Sequence, residues 1–192
     1  SSAIDEDDQA TGVGLTFDFG NGFTASVGYE GQGNGTDGLA SHEGLDSIAG
    51  QLAYSTDTYG FSVTFSEIET TTTSEDTFTA INAYYSPETV GFPSISVGYE
   101  WGDDGDAAAT ADETSSYFIG LEWNELGGGT FGVAAGTHTP VVEDGDELLM
   151  YEVYYSYPIN DGMTITPLIY TKDMATGTED QTGVMVKTSF SF

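Results

Sequence analysis

The chain has 192 residues, among them 26 glycines, 12 tyrosines, 11 phenylalanines, 2 tryptophans and no cysteine, and its 32 acids against 2 basic residues give a formal net charge of −30. With Lys172 and Lys187 as the whole basic complement there is no patch to hold a phosphate backbone, which excludes nucleic acid as a partner, and without cysteine neither disulfides nor thiolate metal sites are available. No apolar run approaches the ~20 residues of a spanning helix, so a membrane crossing by this chain must use strands of about 9–11 residues.

In chain order, Val13, Leu15, Phe17 and Phe19 alternate with Gly14, Thr16 and Asp18, and Asn21-Gly22, a strong hairpin signal, returns the chain through Phe23, Ala25, Val27 and Tyr29. A Gly-rich loop over residues 31–44 leads to a strand with Ile48, Leu52 and Tyr54. A tight turn near Asp57 precedes Phe61, Val63 and Phe65. The polar stretch from Thr70 to Asp76 is predicted as a loop, and the strand from Thr77 to Tyr85 has apolar residues on both parities, leaving its inward face open. After a turn containing Pro87 and Pro93 come Ile95, Val97, Tyr99 and Trp101, then an acidic loop from Gly102 to Thr114. Tyr117, Ile119, Leu121 and Trp123 turn at Leu126-Gly127-Gly128-Gly129 into Phe131, Val133 and Ala135, and a loop from Thr139 to Glu147 follows. Leu149, Tyr151, Val153, Tyr155 and Tyr157 form the next strand. A turn from Pro158 to Gly162, a strand from Met163 to Lys172 and a loop from Asp173 to Asp180 lead to the last strand, where Val184, Val186, Phe190 and Phe192 share one face.

The result is an all-β chain of about eleven antiparallel strands with one apolar and one polar face. That is the pattern of a transmembrane β-barrel wall, lipid on one side and water on the other. Connections alternate short and long, as on the two rims of such a barrel, and aromatics near strand ends (Phe19, Phe23, Tyr54, Tyr59, Trp101, Trp123, Tyr157) match girdles at the lipid interfaces. An odd count puts the first strand's start at the outer rim, with residues 1–8 as an outer-rim loop. Bacterial single-chain barrels have even counts. Residues 1–192 are therefore expected to be the C-terminal portion of one larger barrel domain, the remaining strands lying on a missing segment or another chain; a missed strand closing a barrel of twelve is the second reading. No charged n-region or signal peptide precedes Ser1, so the sequence is read as mature or truncated.

With the apolar positions given to lipid, Asp18, Glu30, Glu100, Glu122, Glu152, Lys172 and Lys187 fall on the opposite face among Ser, Thr and Gly. A packed interior would strand these carboxylates at several kcal/mol each, so a water-filled lumen is the cheaper arrangement. Acids outnumber lysines there, which favours cations and repels anions. Parity also allows Lys187 to pair with a neighbouring acid such as Glu152 or with one on the unseen first strand. The runs Asp103-Asp104-Gly105-Asp106 and Glu143-Asp144-Gly145-Asp146-Glu147 hold oxygen ligands at short spacing but lack a full calcium-loop pattern, so Asp103, Asp104, Asp106, Asp144 and Asp146 are weak metal candidates beside diffuse counterion attraction. His42 and His138, the only histidines, belong to no nucleophile or ligand motif, and the chain is not read as an enzyme; no cofactor is expected.

The segment Tyr157-Pro158-Ile159-Asn160-Asp161-Gly162-Met163-Thr164-Ile165-Thr166-Pro167, followed by an acidic loop and Gly183 to Phe192, resembles the C-terminal hairpin of cyanobacterial-type outer-membrane porins, the carbohydrate-selective porin family with an N-terminal surface-layer-homology domain. The resemblance implies a homotrimeric diffusion channel of about sixteen strands in outer-membrane lipid, with Phe190 and the terminal Phe192 as the barrel-assembly signal. The family name implies carbohydrate transport. The segment carries no basic constriction or aromatic sugar slide, so ions and small polar solutes are the expected permeants. The competing class is a soluble, acidic, secreted β-sandwich that binds or adheres.

Overall fold

The computed structural model describes residues 10–32, 45–71, 73–89, 91–105, 113–142, 145–175 and 178–191. Its strands are β1 (Ala10–Gly20), β2 (Phe23–Gln32), β3 (Asp46–Ser55), β4 (Tyr59–Thr71), β5 (Ser74–Tyr85), β6 (Ser94–Asp103), β7 (Glu113–Leu126), β8 (Gly129–Thr137), β9 (Val141–Val142), β10 (Leu149–Asn160), β11 (Met163–Lys172) and β12 (Gln181–Phe190). They form one antiparallel sheet in the order β1-β2-β3-β4-β5-β6-β7-β8-β10-β11-β12, with β9 off this path and paired to β7. Eleven strands in sequence order are what the alternation predicts. The twelfth is a two-residue ribbon on Thr114 and Ser115 that closes nothing, and β1 and β12 remain unpaired edges of an open sheet.

Turn chemistry explains the hairpins. Asn21 and Gly22 both have positive φ, 54° and 86°, as a type I′ turn requires, and Asp18 Oδ1 accepts the Gly20 N–H at 2.7 Å beside it. The Thr56 hydroxyl accepts the Tyr59 N–H at 3.0 Å across the β3–β4 turn. Between β10 and β11, Asn160 Oδ1 accepts the Gly162 N–H at 2.9 Å.

Register keeps each face continuous. One unbroken row of partners runs Phe23, Tyr54, Phe61, Ala83, Val97, Ile119, Ala135, Tyr151, Thr171, Thr182. It begins on the first residue of β2, beside a short turn, and ends near the opposite end of β12. The strands are therefore staggered by about one residue each, which at a rise of ~3.3 Å and a spacing of ~4.8 Å corresponds to a tilt of roughly 35°, the value of barrel walls.

No packed core exists among the described residues. Ala49 at 8 % is the one buried apolar side chain, whereas Leu15 is 70 % and Val184 72 % exposed. Among the described residues no second sheet covers either face of the first, which is not sandwich packing. Toward the long-loop end the apolar face stops at a collar of acids, where Ile48 pairs with Glu67 and Asp103 with Glu113. Toward the short turns it carries touching rings: Phe23 on Tyr54 at 4.6 Å, Trp123 on Phe131 at 5.8 Å, Tyr155 on Tyr157 at 6.3 Å.

Two expectations are corrected. The predicted Thr70 to Asp76 loop is strand: β4 runs to Thr71 and β5 starts at Ser74, with Glu69 opposite Glu75 and Ile68 opposite Asp76. This hairpin rises above the apolar band, where both faces are polar, so polarity there is not a loop signal. The β-branched threonines favour extended backbone. Short and long connections accordingly do not alternate throughout, because β4 and β5 join tightly at the end where the other connections are long. Residues 1–8, read as an outer-rim loop, lie outside the described residues.

On the polar face, glycines receive cross-strand aromatics. Tyr84 lies over Gly60, Phe118 over Gly98, Phe78 over Gly102, Tyr154 over Gly132 and Tyr170 over Gly183, each pair directly opposed and each leaving no room for a Cβ. Gly132→Val should destabilise the folded protein by about 1–3 kcal/mol by displacing Tyr154. Gly14→Ala, whose Cβ meets only the Val27 carbonyl at 3.7 Å, should stay within about 0.5 kcal/mol; urea unfolding midpoints of the two variants check this.

Candidate functional site

The sequence-predicted pore-lining residues are spread over seven strands, and the ladder sets them all on the face opposite the apolar one. Asp18 pairs with Thr24 and Glu30 with Ser47, Glu100 with Ser116, Glu122 with Gly132, Glu152 with Tyr170, Lys172 with Met150 and Lys187 with Thr166. One row crosses all eleven main strands: Asp18, Thr24, Ala53, Ser62, Asn82, Gly98, Phe118, Gly136, Met150, Lys172, Gln181. The remaining positions are mainly Ser, Thr, Gly and Ala, small side chains that leave space above the backbone. The strand left open by its parity resolves here: Phe78, Ala80, Asn82 and Tyr84 belong to the polar face, Ile81, Ala83 and Tyr85 to the apolar one.

Hydrogen bonds tie this face across strands. Gln51 Nε2 donates to Thr64 at 2.9 Å, Thr166 to Ser156 at 3.0 Å, and Thr16 and Ser26 share a bond of 3.0 Å. Tyr154 Oη donates to Glu122 Oε2 at 2.6 Å, a charge-assisted bond that aims the carboxylate along the wall. The expected pairing of Lys187 with Glu152 does not form. Lys187 is level with Thr166 and Glu152 with Tyr170, four residues apart on β11 and so separated by ~13 Å along the strands.

Two hollows open on this face. One of 390 Å³ is bordered by Gln51, Thr64, Asn82, Glu100, Phe118 and Thr137, and so draws on six neighbouring strands. The other, of 360 Å³, lies among Tyr84, Ser96, Phe118, Gly120, Glu122, Ala134 and Tyr154. Sequence reasoning found the carboxylates but missed these aromatics, because inward aromatics break the alternation that defined the faces. The signal that could have found them is a glycine at the cross-strand position of each ring.

Asp106 and Asp144 lie outside the described residues, and among the described ones, Asp103, Asp104 and Asp146 included, no group of three or more His, Asp or Glu side chains converges on a metal position. His138 is a structural tie, its Nε2 2.7 Å from the Asp173 carbonyl; His42 lies outside the described residues. Phe190 is 60 % exposed on the apolar face of the edge strand β12 and Phe192 lies outside the described residues.

At the long-loop rim, beyond the apolar band, desolvation and the nearby Asp104 raise the Asp76 pKa, Asp103 adds to this, and a hydrogen bond from the Gly105 N–H opposes it. A pKa raised by folding means that the charged form weakens the fold, so this junction is most stable below the ordinary aspartate range and loses stability as pH rises through the folded value. Asp76→Asn should therefore melt above wild type at pH 7. The gap should close as pH falls through the aspartate range, as thermal melts followed by circular dichroism will report.

No protein-family model matches the chain, and comparisons with curated proteins and with solved structures find no significant match.

Proposed function

We propose that this chain forms most of the wall of an outer-membrane porin, a water-filled channel for passive diffusion of ions and small polar solutes with a preference for cations. One observation carries the reading: an apolar face continuous across eleven strands, backed by a polar face and with no packed core between. Burying a large apolar side chain is worth about 1.5–3 kcal/mol, so leaving this face in water forgoes on the order of tens of kcal/mol. Soluble monomers rarely expose such a patch. Lipid recovers that energy. The polar face, with five acids and two lysines at the named positions, then lines water, where its carboxylates keep their hydration.

The edges support further strands. Counting from the short turns, β1 and β12 run in the same direction, so a direct pair would be parallel and antiparallel closure takes an odd number of added strands. An edge such as β12, ten residues without proline or a register irregularity, is otherwise an aggregation hazard. We assign those strands to a segment outside this sequence or to another chain. Trimeric assembly and the assembly role of Phe190 and Phe192 rest on the family resemblance alone.

Purified protein should need detergent, and in a planar bilayer under a potassium chloride gradient its reversal potential should have the sign of cation preference. Glu100→Gln with Glu152→Gln should lower the cation-to-anion permeability ratio on the order of two-fold. A monodisperse protein without detergent and a silent bilayer would return the acidic soluble module; an anion-favouring potential would remove the acidic lumen.

A further inference from the structure

The 360 Å³ hollow has a composition that a non-selective pore wall does not need. Its floor is the register row Ser96, Gly120, Ala134, small residues that expose the backbone level. Beside that floor stand the rings of Phe118 and Tyr154 and one carboxylate, with Tyr84 at its edge. Tyr84 continues the same row on β5, Phe118 is two residues above Gly120 on β7, and Glu122 is two residues below it. Tyr154 shares the Glu122 row through Gly132.

The rings are held in place. Tyr84, Phe118 and Tyr154 each lie over a glycine of the neighbouring strand, Gly60, Gly98 and Gly132, where no other residue leaves room. Both tyrosine hydroxyls are engaged, Tyr84 Oη with the Thr56 carbonyl and Tyr154 Oη with Glu122 Oε2. Each hydroxyl is spent on the wall. A species above Gly120 thus meets ring surfaces, the Glu122 carboxylate and the Ser96 hydroxyl.

We propose that this hollow is a transit site for organic ammonium ions, cations whose charge is spread over alkylated nitrogen. Such an ion gains from the negative faces of the rings and from apolar contact with them, while Glu122 balances its charge. Potassium keeps its hydration shell and gains little from a ring. The proposal takes its role in permeation from the channel reading above, but occupancy of the hollow is measurable apart from conduction.

Tetramethylammonium is the probe. Calorimetry on detergent-folded protein should give saturable binding, weakened about two- to five-fold by Phe118→Leu, the size expected of one partly exposed ring contact, and weakened also by Glu122→Gln. In bilayers the same ion should reduce potassium current saturably, and both variants should relieve that block. The strand signal in circular dichroism verifies folding of each variant; Glu122→Gln carries the test if Phe118→Leu does not fold, and Tyr154→Phe, which keeps the ring and gives up one hydrogen bond, should retain binding. Binding absent from the wild type, or equal in the wild type and the folded Glu122→Gln and Phe118→Leu variants, overturns the site while leaving a potassium-conducting pore intact. Binding that follows the variants in a protein that conducts nothing keeps the hollow and removes the porin.

Discussion

Register is the constraint on which this structure rests. Side chains alternate between faces every residue, so a slip of one position on any strand would carry its apolar set to the polar face and its carboxylates to the other. In a sandwich such a slip is resisted by a packed interior. Here there is none, and the burden falls on the ladders and the turns. Asn21-Gly22 with its two positive φ angles, the Thr56 cap and the Asn160 turn fix three hairpins locally, and the cross-strand pairs fix the rest.

The polar face contributes its own register devices. An aromatic side chain over a glycine packs only when the two stand directly opposite, and a slip would bring the ring onto a side chain instead. Tyr84 on Gly60, Phe118 on Gly98 and Tyr154 on Gly132 therefore act as pins as well as contacts. They bury apolar surface on a face that otherwise has almost none to bury. They also leave rings standing beside carboxylates, so an arrangement that secures the sheet shapes what can rest upon it.

Charge is distributed with the same economy. Acids occupy the polar face and the long-loop end of the apolar face, where Glu67, Asp103 and Glu113 form a collar, and the band between them on the apolar face is free of charge. The stagger of about one residue per strand turns this into an oblique band across the sheet, level with the axis of a tilted wall rather than with the ladders. The Tyr29 hydroxyl donates to Asp46 Oδ2 at 3.2 Å, and the Asp46 N–H to Glu69 Oε2 at 3.1 Å, at the boundary.

Composition and periodicity were enough to read the all-β class, the eleven main strands, the two faces and the membership of Asp18, Glu30, Glu100, Glu122, Glu152, Lys172 and Lys187 in the polar one, because alternation is a local property that every strand repeats. The Thr70 to Asp76 segment misled, since polarity marks a loop only where a strand would have a face to bury, and this hairpin rises above the apolar band. The separation of Lys187 from Glu152, the glycine-seated rings and the hollow beside Glu122 were invisible to it. They depend on which residue of one strand stands level with which residue of another, and that stagger accumulates from ladder to ladder across the whole sheet, where no stretch of sequence records it.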